Sequence, residues 1–397
     1  MLVTGQILGG LGIGATLSIG AVLAAEISGS DAWAGSAATL STLGAAAAAV
    51  PLARLAGRHG RRVALTLGVL AAMVGAVVTV VAASTPSFPL LLVGFALLGT
   101  GTAVTLQSRF AATDVSSPTD RGRDLSIVVW SATIGSVVGP NLFGPGEMIA
   151  DALGMPPLTG SFAIAVAAQL LAALVFFFGL RPDPLLLSRT LPTPPVVRQN
   201  GGAVRARTLV VFAIAAIAVS HAVMVAVMSM TPVHLTRHGA ALTIVGLTIS
   251  LHIAGMFALS PVFGWLSDRI GRIATVLVGQ ALFAISLVTI ALGSESQALV
   301  TVGLVVLGLG WSASTVAGSA LVADLVTGSA RTRIQGRTDL TMNLAGAVGG
   351  AFAGPVLALI GYSGLAWVAG VLVLVVAGGA IVVTGRRADA ASSAPVG

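Results

Sequence analysis

Long apolar runs separated by short polar interruptions fill almost the whole chain. They lie near 2–25, 34–53, 63–83, 88–110, 125–145, 159–180, 208–232, 241–266, 273–293, 298–323, 336–360 and 363–384. A bilayer core roughly 30 Å thick requires about 20 apolar residues of helix, so each run is long enough to cross. The runs are continuous and lack the alternation of barrel strands, which predicts helices. Composition agrees, since 56% of the 397 residues are hydrophobic and 8% are charged, against about 25% charged in a soluble domain.

The polar interruptions carry a repeat. Ala53-Arg54-Leu55-Ala56-Gly57-Arg58-His59-Gly60-Arg61-Arg62 is echoed by Gly264-Trp265-Leu266-Ser267-Asp268-Arg269-Ile270-Gly271-Arg272-Ile273. The echo continues at nearly constant offset, with Gly94, Gly99 and Gly101 matching Gly303, Gly308 and Gly310 and Asp114 matching Asp324. Arg121 and Arg123 match Arg331 and Arg333, and Gly144-Pro145 matches Gly354-Pro355. A fixed period of this kind marks duplication. The expectation is an all-α integral membrane protein of twelve transmembrane helices in two pseudo-symmetric six-helix bundles, 1–180 and 208–385. Residues 181–207, with five prolines and Gly201-Gly202, read as a mobile cytoplasmic linker, and 386–397 as a cytoplasmic tail.

Charge fixes the orientation. All twenty basic residues are arginine, and nineteen fall on one side of the expected spans, Arg237 being the exception. Positive charge stays cytoplasmic, which places both termini inside. The net charge of +7 therefore serves helix anchoring and contact with lipid headgroups rather than nucleic acid. Exclusive use of arginine, with abundant alanine and glycine, points to a GC-rich bacterial genome and an inner (cytoplasmic) membrane. With no cysteine, disulfides and cysteine-ligated metal are excluded. No cofactor or metal site is expected.

In its loop, Gly264-x-Leu266-Ser267-Asp268-Arg269-x-Gly271-Arg272 resembles the signature between the second and third helices of each half in the major facilitator superfamily, and the resemblance covers essentially the whole chain. It implies two bundles that alternate access to a midplane site, a monomer, and a gating role for these residues and for Gly60, Arg61 and Arg62 of the first copy. The first copy departs from the signature, because Gly57 stands where the aspartate would be. Asp268 becomes the better candidate for holding one conformational state. In the fifth run, Gly135-x-x-x-Gly139-Pro140-x-x-Phe143-Gly144 is similar to the pattern of proton-driven drug exporters of that superfamily, with Phe143 replacing a glycine. Small residues at four-residue steps let helices touch, and proline bends the helix. The arginine-containing signature of the fourth helix in proton-coupled members is mostly absent, with Phe95, Leu98 and Gly99 in its place.

Ionisable groups at depth are sparse and costly unless paired or solvated, which makes each a candidate. His221 and His252 lie midway along the seventh and eighth runs, near the midplane by count. Met224 follows His221 at i+3 and Met256 follows His252 at i+4, giving faces of one polar group beside adaptable apolar side chains. Trp130 and Trp311 are candidates for ring contacts with substrate. Glu26, at the outer end of the first run, is a second proton candidate, and Asn343, Asn141 and Asp339 are weaker candidates for substrate or proton handling.

No phosphate-binding glycine loop with lysine occurs, so a gradient rather than ATP must drive transport. The reading is a secondary active transporter, a proton-coupled exporter of small amphipathic compounds, with the small-molecule substrate, protons and the bilayer as its partners. A proton symporter importing a sugar or other nutrient is the alternative, and scarce polar residues at depth argue against a sugar. An integral-membrane enzyme lacks any nucleophile triad, metal spacing or carboxylate pair to support it.

Overall fold

A computed structural model describes every residue except 30–32, 34–35, 118, 191–201, 327–329 and 393–397. Among the described residues the fold is helical and contains no strand. The first copy forms α1 (Leu2–Ser28), α2 (Ser36–His59), α3 (Arg61–Ser84), α4 (Phe88–Ala112), α5 (Arg121–Val138), α6 (Phe143–Leu153) and α7 (Gly160–Gly179). After a short α8 (Pro184–Thr190), the second copy forms α9 (Gly202–Arg237), α10 (Leu242–Phe257), α11 (Ser260–Ile270), α12 (Arg272–Leu292), α13 (Gln297–Leu325) and α14 (Ala330–Ser392). Nine helical stretches among the described residues are long and apolar enough to cross a membrane.

Breaks follow the chemistry of the residues at them. Gly60 and Gly271, at matched positions before α3 and α12, have φ of 90° and 96°, a region closed to most side-chain-bearing residues. The expected fifth span breaks into α5, a 3₁₀ turn over Gly139–Leu142 and α6, where Pro140 removes a backbone donor. The eighth breaks before Pro261, which sits at the start of α11. α14 is two helices joined at Gly361, whose φ is 71°.

The linker differs from its expectation in part. Asp183 accepts from the backbone N–H of Leu185 and Leu186 and Pro184 opens α8, the arrangement of a capped helix start. Asp183 also accepts from Arg62 N–H at 2.7 Å, and Arg189 donates to the Gly57 carbonyl at 2.6 Å. Residues 184–190 are thus a docked helix rather than a tether, because proline at a first helical position favours helix where proline elsewhere favours extension. Of the rest of the expected mobile linker, 191–201 lies outside the described residues, and 202–207 already belongs to α9.

The chain resolves into two compact units. The first comprises Met1–Ser117, Asp124–Pro194 and Thr327–Leu344; the second comprises Pro118–Arg123, Pro195–Val326 and Ala345–Gly397. Matched helices pack alike in each, with α2 and α3 against α4, and α10 and α12 against α13. Matched glycines make this possible. A Cβ on Gly99 would stand 2.8 Å from the Ala45 nitrogen of α2, and one on Gly308 would stand 2.9 Å from the Met256 nitrogen of α10. Many leucines, valines and phenylalanines stay exposed on the outer helix faces, among them Phe178, Leu292, Leu374 and Val375. Apolar surface of this extent suits lipid rather than water. The protein is a multi-pass membrane protein.

Candidate gating loops and substrate site

The two echoing loops each hold an arginine–aspartate pair, buried in the first and partly exposed in the second. In the first unit Arg61 Nε donates to Asp114 Oδ2 at 2.8 Å and its Nη2 to Gln335 Oε1 at 2.6 Å, with both charged side chains almost wholly buried. Arg331 adds a second cation 3.5 Å from Asp114 and donates to the Thr113 carbonyl at 2.8 Å. In the second unit the matched Arg272 Nε donates to Asp324 Oδ2 at 2.9 Å, and Arg121 donates to Asp324 Oδ1 at 3.0 Å.

The difference lies in the signature carboxylate. Asp268 accepts from the backbone N–H of Gly122 and Arg123 at 3.0 and 2.9 Å and from Arg272 Nη1. Gly122 and Arg123 are in the first turn of α5, where N–H groups lack helical partners and the macrodipole favours an anion. Gly57, at the matching position, has no side chain, and a Cβ there would stand 2.7 Å from Thr332 Oγ1. Of the other loop candidates, Gly264 lies buried in α11, and Arg269 lies over the Trp265 ring at 5.3 Å. Gly60 faces the Asp183 carboxylate.

The deep candidates separate. Trp311 Nε1 donates to His221 Nδ1 at 2.9 Å, so two side chains chosen from different helices form one pair. Trp311 is 4% exposed and packs edge-on to Phe257, 5.6 Å between centroids. Met224 and Met256 lie in the same buried cluster, and His221 itself is half-buried. His252 is fully buried; its Nδ1 donates to the Leu304 carbonyl at 2.7 Å and its Nε2 finds no partner. Trp130 belongs to the first unit and is 38% exposed. Glu26 is exposed at the end of α1. Asn343 is buried and donates to the Asp339 carbonyl one turn back along its own helix.

The glycine run of α5 meets α1 closely. A Cβ on Gly139 would stand 2.6 Å from Gly14, and Gly135 lies against Gly10 and Leu11. Nothing lies within 4 Å of a Cβ on Gly144, so close approach stops there. The side chains of Pro140, Asn141 and Phe143 lie outside the described residues.

Two clusters went unread in the sequence. Arg109 Nη2 donates to Asp339 Oδ1 at 2.6 Å, a pair whose side chains are 2% and 0% exposed, leaving Asp339 Oδ2 without a partner. Asp339 ranked among the weaker candidates, and 230 positions separate the partners. At the opposite end of the second unit from its arginine loop, His234 stacks on Tyr362 with centroids 4.3 Å apart and donates to the Ser294 carbonyl. His238 lies 3.5 Å from Glu295, and the group lines a cavity of about 280 Å³. The four-residue spacing of the two histidines beside the chain's one tyrosine was the available signal. Among the described residues no three histidine, aspartate or glutamate side chains are placed to share a metal ion.

Comparison with known proteins supplies the family. The model of the Major Facilitator Superfamily matches residues 2–251 and 216–396. The chain belongs to the Major Facilitator Superfamily. It is 36% identical over 376 residues to the uncharacterized MFS-type transporter YdeG of Bacillus subtilis strain 168, covering 93% of this chain and 87% of that one. It is 28% identical over 374 residues to the riboflavin transporter RfnT of Brucella anthropi, covering 92% and 90%. Among solved structures, the human organic anion transporter MFSD10 superposes with a TM-score of 0.77 at 16% identity, covering 96% of this chain and 97% of that one. As a member of the Major Facilitator Superfamily the protein is a transporter of small-molecule substrates in the membrane and not an enzyme.

Proposed function

We propose that the protein is a proton-coupled exporter of small amphipathic compounds, a monomer of twelve spans in a bacterial inner membrane with both termini cytoplasmic. Two six-helix bundles, 1–180 and 208–385, rock about a midplane site, and the echoing loops hold one of the two states. The observation that carries the reading is the half-buried His221 bonded to Trp311 beside Phe257, Met224 and Met256. It combines one protonatable group with aromatic and thioether surface, the chemistry that accepts an amphipathic ring and answers a proton gradient. Riboflavin, named for one relative, is itself a planar ring system with a polar tail. The close packing of Gly135 and Gly139 on α1 supports the exporter resemblance of α5.

The test uses inverted vesicles, acidic inside, with a pH-sensitive dye while lipophilic compounds and flavins are added in turn. Proton release on adding a compound, lost in His221→Ala with protein abundance unchanged, is the expected result. Release undiminished in both His221→Ala and His252→Ala removes the histidine role. Proton flux seen only in right-side-out vesicles given nutrients replaces export with import.

A further inference from the structure

We propose that Trp311 reads the protonation state of His221, the pair forming a proton-operated switch in the wall of the substrate site. This rests on the exporter reading above and names the device that couples proton to substrate. An indole N–H can only donate, so the 2.9 Å bond to His221 Nδ1 requires a lone pair on that nitrogen. The imidazole is therefore neutral in this state, with its proton on Nε2. An imidazolium carries N–H at both nitrogens. Protonation would set two donors face to face, and the indole N–H, almost wholly buried, would be left without an acceptor unless a ring moves.

The surroundings decide which ring moves. Gly346 of α14 lies against the other edge of the imidazole, where a Cβ would stand 2.6 Å from Cδ2 and 2.9 Å from Nε2. Backbone thus backs His221, and retreat in that direction is closed. Trp311 instead packs edge-on to Phe257, in the buried cluster that also holds Met224 and Met256, flexible thioethers that can repack around a displaced indole. The wall presented to an amphipathic ring then differs between the two protonation states, which is the exclusion that antiport requires.

Along α9, α13 and α14 the neighbouring ionisable groups lie about two turns or more away in sequence. On α9 the next toward its C-terminus is His234, thirteen positions on, and on α13 it is Asp324, thirteen beyond Trp311. On α14 they are Asp339, seven before Gly346, and Tyr362, sixteen after it. On α10 it is His252, fully buried and bonded to the Leu304 carbonyl.

The experiment is a pH titration of Trp311 emission in lipid nanodiscs. Trp33→Phe, Trp130→Phe, Trp265→Phe and Trp367→Phe leave Trp311 as the sole tryptophan, excited selectively over Tyr362 at the red edge of absorption, and each replaced ring is more than a third exposed. Should that chain fold poorly, the difference between wild type and Trp311→Phe gives the same signal. The expected result is a reversible loss of emission between about pH 8 and 5, the range in which histidine changes charge. The step is absent in His221→Asn, which keeps an acceptor near the Nδ1 position but cannot titrate, and it persists in His252→Asn. Flat emission in the parent, or a step that survives in His221→Asn, overturns the switch. Proton-coupled transport with flat Trp311 emission overturns the switch alone, whereas a titrating Trp311 in vesicles that move no protons overturns the exporter reading and the coupling role with it.

Discussion

The two loops descend from one sequence and keep the same arginine–aspartate pair, yet close it differently. Around Arg61 and Asp114 the charges are sealed from solvent and Gln335 takes one further guanidinium donor, while Nη1 finds no hydrogen-bond partner. Around Arg272 and Asp324 the aspartate is 27% exposed, and a second carboxylate, Asp268, caps the first turn of α5. The ion pair is therefore the part that duplication preserved. The signature carboxylate is a separate device, retained where the pair is open and dispensed with where it is buried. The arginines at Arg121 and Arg331 underline the duplication, each lying in the compact unit of the aspartate it pairs with, Asp324 and Asp114.

Breaking the sealed pair should have the largest effect. Asp114→Ala leaves the guanidinium of Arg61 buried with only Gln335 to receive it and Arg331 without its carboxylate. Removing one partner of a buried pair costs about 3–5 kcal/mol. The unfolding midpoint in detergent should fall accordingly, and an unchanged midpoint would mean that Gln335 alone satisfies Arg61.

How much of this was legible follows from the range of each interaction. The helices, the matched loops and the glycines that let α4 and α13 touch their neighbours are local or periodic features, and the sequence displays them directly. His221 and Trp311 were each recognisable as isolated polar or aromatic groups at depth. Their hydrogen bond was not, since ninety positions separate them and only packing aligns the rings. The Arg109 and Asp339 pair stayed hidden for the same reason, and Arg109 read as a loop-end anchor. The echo identified Arg121 and Arg331 as equivalents, but a repeat reports equivalence and not partnership. The helix at 184–190 was missed because five prolines outweighed a single Asp-Pro start signal.

Removing the cap from the second loop should cost less. Asp268→Ala frees the N–H groups of Gly122 and Arg123 in a partly hydrated turn, while Arg272 keeps Asp324. Loss of an N-terminal cap of this kind costs about 0.5–2 kcal/mol. Thermal unfolding should show a drop clearly smaller than that of Asp114→Ala. A drop of equal size would make Asp268 part of the ion pair rather than a separate cap, and the contrast between the loops would dissolve.

The smallest effect comes from installing the missing carboxylate. Gly57 is helical and its absent Cβ meets only the Thr332 side chain, not backbone. Thr332 matches Gly122, so Thr332→Gly clears the space as the second loop does. Gly57→Asp would then place a carboxylate at the start of α14 as Asp268 is placed at the start of α5. Changing a glycine in α2 and creating one in α14 alters helix propensity in opposite senses, by about 1 kcal/mol each. Gly57→Ala with Thr332→Gly is therefore the reference. Against it, the aspartate variant should be more stable by about 1 kcal/mol, the ordinary worth of a cap. No gain would show that the buried pair already fixes the first turn of α14, leaving a carboxylate nothing to add, and that burial of the pair is what made the signature residue expendable in the first copy.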